Sequence, residues 1–108
     1  MALRHPLKKS AASACLRALP GWSFANGGKA IRRGYLLKDF LAAVDLIRRI
    51  APRAQALDHH PDLHLTGCRK LKIVLSTHDA GGLTLNDFRL AAEIDALARD
   101  SIHKTLPG

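Results

Sequence analysis

Three of the six histidines of this chain fall in two short segments, Asp58-His59-His60-Pro61-Asp62 and Ser76-Thr77-His78-Asp79-Ala80-Gly81-Gly82-Leu83-Thr84. Imidazole has an ordinary pKa of about 6.5, so it gives and takes protons near neutrality without special tuning. Carboxylates flank these imidazoles and a glycine pair follows the third. The two segments therefore carry the parts for general acid/base chemistry at two chain reversals.

Other chemistries fit the same residues less well. His60 and His64 have the i,i+4 spacing that binds a metal on a helix, but Pro61 disfavours the α conformation at His60 and removes that helix. No metal site is expected. A nucleophilic mechanism would need Cys68, Ser76 or Thr77 as attacker. Cys68 lies in a turn with no base beside it in sequence, and the two hydroxyls suit hydrogen bonding to a ligand. Ala80-Gly81-Gly82 lacks the lysine and the spacing of a phosphate loop. It reads as a turn that a polar ligand can approach closely, since glycine has no Cβ.

The elements that must position these residues are legible from periodicity and turn chemistry. Ser10 can cap a short helix running to about Leu19, which Pro20-Gly21 stops. Asn26-Gly27-Gly28 is a hairpin signal that pairs Trp22–Phe24 with Ile31–Leu37, placing Ile31, Tyr35 and Leu37 on one face. Phe40, Leu41, Val44, Ile47, Ile50, Ala51 and Ala54 predict a helix from Lys38 to about Leu57 that continues past Pro52 with a bend. Leu63–Thr66 and Leu71–Ser76 form a second hairpin around Gly67. Thr84-x-x-Asp87 is a capping box, with Asp in the usual Glu place, for a helix through Phe88, Ala91, Ile94, Leu97 and Ala98. The double histidine thus lies where a helix gives way to a strand, and His78 where a strand gives way to a capped helix.

The order α-β-β-α-β-β-α predicts an α+β fold, a four-stranded antiparallel sheet with helices packed on one face. An open sheet face or edge strand would favour self-association. At 108 residues the chain suits one domain, residues 1–108, with residues 1–9 as a loose N-terminal arm. No apolar run approaches the roughly 20 residues of a membrane span, so a soluble protein is expected. Ser10–Leu19 is broken by Arg17 and makes a poor signal peptide. Cys15 and Cys68 alone cannot build a disulfide framework, which fits a reducing cytoplasm.

A net charge of +8 raises the question of nucleic-acid binding. Residues 1–57 hold eleven Lys/Arg against two acids, while residues 58–108 hold six against seven, so the basic surplus avoids the histidine half. With five aromatics and no basic-aromatic interleaving, a stacking platform for bases is absent. Arg32-Arg33 and Arg48-Arg49 read as solvated faces, Trp22 and Phe24 as core or rim packing, and nucleic acid is not an expected partner.

The tract Leu57-Asp58-His59-His60-Pro61-Asp62, the tract Leu75 to Thr84 with Ser76-Thr77-His78-Asp79, and the later Asp87 together resemble the signature of pterin-4a-carbinolamine dehydratases. Trp22, Ile31, Tyr35, Lys38-Asp39-Phe40 and Ile94-Asp95 extend the resemblance over about Trp22 to Leu97. It implies cofactor-free dehydration of 4a-hydroxytetrahydrobiopterin to quinonoid dihydropterin, the step that recycles tetrahydrobiopterin after aromatic amino-acid hydroxylation. By the same resemblance His59 and His78 are the acid/base pair, and His60 binds and orients the pterin. Asp58, Ser76, Thr77 and Asp79 line the substrate pocket. Asp87 matches an acidic position of the signature, with helix capping as the competing account.

Three features depart from the family pattern. Gln55 stands where glutamate is common, the hairpin after His60 lacks the usual aromatic residues, and it is one residue longer. The resemblance further implies a homodimer or homotetramer and a functional link to an aromatic amino-acid hydroxylase. The alternative is an interaction protein, because animal members also serve as a dimerisation cofactor of a homeodomain transcription factor. Retention of all three histidines favours turnover.

Overall fold

The computed structural model describes residues 5–106. The elements are α1 (Lys9–Arg17), β1 (Ser23–Ala25), β2 (Ala30–Leu37), α2 (Phe40–Ala56), β3 (Asp62–Thr66), β4 (Lys70–Leu75), α3 (Leu85–Ala98) and β5 (Ile102–Leu106). Every strand pairing is antiparallel. β4 lies between β3 and β2, and β1 and β5 share the far edge of β2.

The predicted α+β class holds, and a fifth strand joins the predicted four. Its physical reason lies in β2. β1 has three residues and pairs only Ala30 to Arg32 of the eight-residue β2. The backbone groups of Gly34 to Leu37 would be left open, and buried ladder groups are almost always paired. β5 fills that half, from Gly34↔Leu106 to Leu37↔Ile102, with a register shift between Leu36 and Leu37.

The sheet has one apolar and one polar face. Along β4, Leu71, Ile73 and Leu75 are buried while Lys70 and Lys72 are exposed, the period-2 alternation of a half-covered strand. Against the apolar face pack Ala43, Leu46, Ile50 and Ala54 of α2, and Leu90, Ala91, Ile94 and Ala98 of α3, each set at helical spacing. Arg53 of α2 donates through Nε to Glu93 of α3 at 2.8 Å, fastening the two helices at their exposed side. Truncating one buried residue of this core, such as Ile73→Ala, costs about 2–5 kcal/mol.

The helix ends follow their sequence signals with one correction. Asp39 caps α2, accepting the Ala42 N–H at 2.8 Å, and the helix runs through Pro52 to Ala56. Pro52 sits on the exposed side, where water can serve the carbonyl that loses its donor. α1 starts two residues earlier than the Ser10 cap predicts: Lys8 is the extended capping residue, without a side-chain bond, and Ser10 falls in the first turn. Of the arm assigned to residues 1–9, residues 1–4 lie outside the described residues. Leu7 is tied to the fold by its N–H, which donates to Leu83 O at 2.8 Å.

Candidate active site

The end of α2 aims His59 inward. After Leu57 the chain enters the left-handed region at Asp58, with φ 48°. The Asp58 N–H donates to Gln55 O at 3.1 Å and the His59 N–H to Ala54 O at 3.0 Å. This is the Schellman pattern, which turns the chain off a helix and usually carries glycine at the left-handed residue. Aspartate enters that region more readily than most side chains. Pro61 then keeps His60 out of the helical region. The adjacent histidines are thereby separated: His59 is 4% exposed, and His60 is exposed with Nε2 2.9 Å from Gln55 Oε1.

The second reversal supplies the partner of His59. A single 3-10 turn at His78–Ala80 is closed by Gly81 at φ 73°, and Thr77 bridges Gly82 across it. Thr84 caps α3, and the Oδ2 of Asp87 accepts the Thr84 N–H at 2.8 Å to complete the capping box. The same oxygen accepts the Thr77 hydroxyl at 2.8 Å, and Thr77 Oγ1 is 2.9 Å from Thr84 Oγ1. The other oxygen, Oδ1, lies 2.6 Å from His59 Nε2. Asp87 caps its helix and also holds an imidazole from the other reversal.

A carboxylate can only accept, so the proton in the 2.6 Å contact belongs to His59 Nε2. With Asp87 ionised the tautomer is then set, and Nδ1 is the ring nitrogen without a proton. An imidazolium formed there would face the Asp87 charge in a buried setting, where electrostatic attraction is stronger than in water. An isolated buried carboxylate would be costly. Donors from Thr77, Thr84 and His59 offset that cost.

His78 is held differently. It is exposed, and its Nε2 is 3.4 Å from Ser76 Oγ, a long contact. It lines a cleft of about 230 Å³ together with Ser76 and Thr77 from its own segment, Gly81 and Gly82 from the turn, and Asn26 and Lys29 from the first hairpin. Thr77 connects the two halves, since it lines the cleft while its hydroxyl reaches Asp87.

The two reversals therefore bring together His59, Thr77 and Asp87 directly, and Ser76 and His78 through the cleft. They do not bring Asp58, His60 or Asp79 to its wall, and His59 and Asp87 lie buried behind Thr77 rather than on it. Asp58 serves the turn after α2, Asp79 is exposed in the turn of His78, and His60 meets Gln55, the residue that departs from the family pattern. His64 is exposed on the outer face of β3. Among the described residues no three His, Cys, Asp or Glu side chains gather as a metal site requires. Asn26 and Lys29 are cleft residues that the sequence reading missed, because the Asn-Gly-Gly signal is fully used by the hairpin turn. The available signal was a lysine immediately beyond a glycine pair.

A second carboxylate network lies on α3 at Asp95. It accepts the Trp22 indole N–H at 3.1 Å, the Arg33 guanidinium at 2.7 Å and the Tyr35 hydroxyl. Arg33 also stacks on the Tyr35 ring, 4.5 Å from its centre. This corrects the reading of Arg33 as part of a solvated face: it shares the inward face of β2 with Ile31 and Tyr35, and it is buried because Asp95 meets it there. Burial, then the bond to Asp95, pushes the Tyr35 phenol well above its ordinary range, so it remains a donor.

With this geometry in view, the comparisons with known proteins are specific. Residues 5–97 match the family model described as Pterin 4 alpha carbinolamine dehydratase. A Rhodopseudomonas palustris (strain BisB18) protein named for that family is 45% identical over 85 residues, 79% of this chain and 83% of the relative. The mitochondrial pterin-4-alpha-carbinolamine dehydratase 2 of Arabidopsis thaliana is 40% identical over 93 residues, and the match covers 84% of this chain and 50% of that protein. Among solved structures, a transcriptional coactivator/pterin dehydratase from Brucella melitensis superposes with a TM-score of 0.82 at 34% identity, covering 87% of this chain and 99% of that one. A pterin dehydratase-like protein identified as a RuBisCO assembly factor in the alpha-carboxysome shares the fold alone, with a TM-score of 0.61 at 18% identity over 72% of this chain and 89% of that one.

Proposed function

The chain belongs to the pterin 4 alpha carbinolamine dehydratase family, and from that premise we propose that it removes water from a 4a-hydroxytetrahydropterin by histidine acid/base catalysis. One observation carries the mechanism: the buried His59–Asp87 pair, joined through Thr77 to the cleft that His78 lines. The ring nitrogen lone pair expels the 4a-hydroxyl, the acid gives the departing oxygen a proton so that it leaves as water, and the base takes one from a ring N–H. The two proton transfers cancel, and the product is the quinonoid dihydropterin.

Within that scheme His59 is the base, because Asp87 fixes its tautomer and supports the cation it becomes. His78 is the acid, on the cleft wall and in reach of solvent for reprotonation. His60, outside the cleft wall, orients the pterin together with Gln55. Asp58, Ser76, Thr77 and Asp79 complete the substrate surroundings, and the carbinolamine comes from an aromatic amino-acid hydroxylase that uses tetrahydrobiopterin. A cytoplasmic location belongs to the same proposal, and among the described residues no helix is long and apolar enough to cross a membrane.

The test is the decay of enzymatically generated 4a-hydroxytetrahydropterin with and without the purified protein. Acceleration supports the reading, and an unchanged decay rate defeats it. A second reading, association through a protein surface, is favoured by Phe40, Leu41 and Val44 on α2, which are 52%, 76% and 40% exposed. A homodimer or homotetramer formed there would appear in sedimentation velocity and dissolve on Leu41→Glu.

A further inference from the structure

The cleft at His78 does not end at Gly81 and Gly82. Those two glycines and Lys29 also line a second, larger cavity of about 470 Å³, which continues past Leu7, Phe24 and Leu83 to Lys9. The first cavity, at about 230 Å³, is smaller than the roughly 300–1,000 Å³ of a ligand site. The two together fall inside that range. A bicyclic ring seated beside His78 would therefore direct a substituent over Lys29 into the second lobe.

The junction is open because it is built from glycine. A Cβ placed on Gly27, Gly28, Gly81 or Gly82 meets no other atom within 4 Å. Gly82 carries no left-handed strain, so its missing side chain leaves space and serves no backbone need. The charge in the second lobe has one sign. Lys9 and Lys29 line it, no acidic side chain lines either cavity, and among the described residues neither ammonium enters a hydrogen bond or ion pair.

We infer that this second lobe is a specificity subsite for the end of the pterin's side chain, and that the preferred ligand is a pterin whose C6 substituent ends in an anion, a phosphate or a carboxylate, bound by Lys9 and Lys29. The identity of the ring rests on the dehydratase reading; the anion preference rests on the lobe. An ammonium is a flexible point charge that serves either anion, so the end group is for experiment to distinguish.

The experiment is fluorescence titration with three oxidised pterins that share ring and linker and end in a phosphate, a carboxylate or a hydroxyl. The anion-ended pterins should bind about tenfold more tightly than the hydroxyl-ended one, as for a hydrogen bond to a charged group. The Lys9→Ala/Lys29→Ala double variant should lose that preference, and the double Arg variant should keep it. Gly82→Val, which fills the junction without burdening the fold, should weaken the extended pterins relative to an unsubstituted one. Stronger binding of either the phosphate or the carboxylate identifies the end group.

Equal binding of all three by the native chain overturns the inference, as does a preference that survives loss of both lysines or an absence of pterin binding. Dehydration of a hydroxyl-ended carbinolamine, measured in parallel, separates the two levels. Turnover without anion preference removes only the subsite, and anion preference without turnover removes only the dehydratase reading.

Discussion

Asp87 and Asp95 stand on the same helix, each accept bonds from three other residues, and differ in the chemistry of those donors. The partners of Asp95 are an indole, a guanidinium and a phenol held protonated by burial, none of which exchanges its proton near neutrality. That network is a clamp between α3 and the first hairpin. The partners of Asp87 are a backbone amide, a hydroxyl and an imidazole. On the proposed mechanism, replacing a fixed donor by one that can gain or lose a proton turns the same kind of carboxylate network from a fastening into a proton-handling pair. Burial of the acid does not distinguish the two; the chemistry of its donors does.

The sharpest way to break this comparison is His59→Ala. Its dehydration rate should fall by about 10²–10⁴-fold, the range for loss of a general base, measured by the decay of the carbinolamine. Stability should fall as well, by about 1–3 kcal/mol, because Asp87 Oδ1 is left buried without its partner. A rate within threefold of the native value would remove His59 from the chemistry.

Asp95→Asn should do the reverse. Breaking the Arg33 pair should cost on the order of 2–3 kcal/mol in urea unfolding, below the roughly 3–5 of a fully buried pair because the Asp95 side chain keeps 23% of its surface exposed. The rate per folded molecule should stay within about threefold. Gly21→Ala probes the clamp from its other side: Gly21 has φ 92°, and an added Cβ would lie 2.9 Å from Arg33 Nε. A loss of about 1–2 kcal/mol is expected from the left-handed backbone, again without a change in rate.

The smallest effect is alkaline. The folded chain retains the Tyr35 proton that an unfolded chain releases above about pH 10, so folding binds more protons there and stability falls as pH rises. Below that range the contribution is fully present. Chemical denaturation at pH 8 and pH 11 should show this slope in the native chain, and Tyr35→Phe should flatten it.

Much of the frame was legible because it rests on local rules: the Asn26-Gly27-Gly28 hairpin, the Thr84/Asp87 capping box, and the helical spacing of Ile50 and Ala54; of the other residues read onto that face, Phe40, Leu41 and Val44 are exposed, and Ala43 and Leu46 pack the core instead. β5 was not, since nothing in Ile102–Leu106 requires a strand. Its cause is the unpaired half of β2, which a count of backbone partners would have exposed. At the site, the histidine tracts marked both reversals, but the contact from His59 to Asp87 spans 28 positions and depends on a left-handed aspartate where glycine is the recognisable signal. Arg33 and Lys29 were hidden for a related reason. Their neighbours Arg32 and Gly28 offered sufficient local explanations, a charged pair and a turn, while the partner of Arg33 and the cavity that Lys29 lines come from elsewhere in the fold.

The most direct test of the central claim is a side-by-side measurement of single-turnover dehydration by Asp87→Asn and Asp95→Asn, each normalised to its folded fraction. The amide at position 87 keeps the shape of the carboxylate and removes the charge that fixes and supports His59. A drop of about 10²-fold or more for Asp87→Asn, with Asp95→Asn near the native rate, is the predicted result. Equal rates in the two variants would contradict it and leave Asp87 as a second clamp.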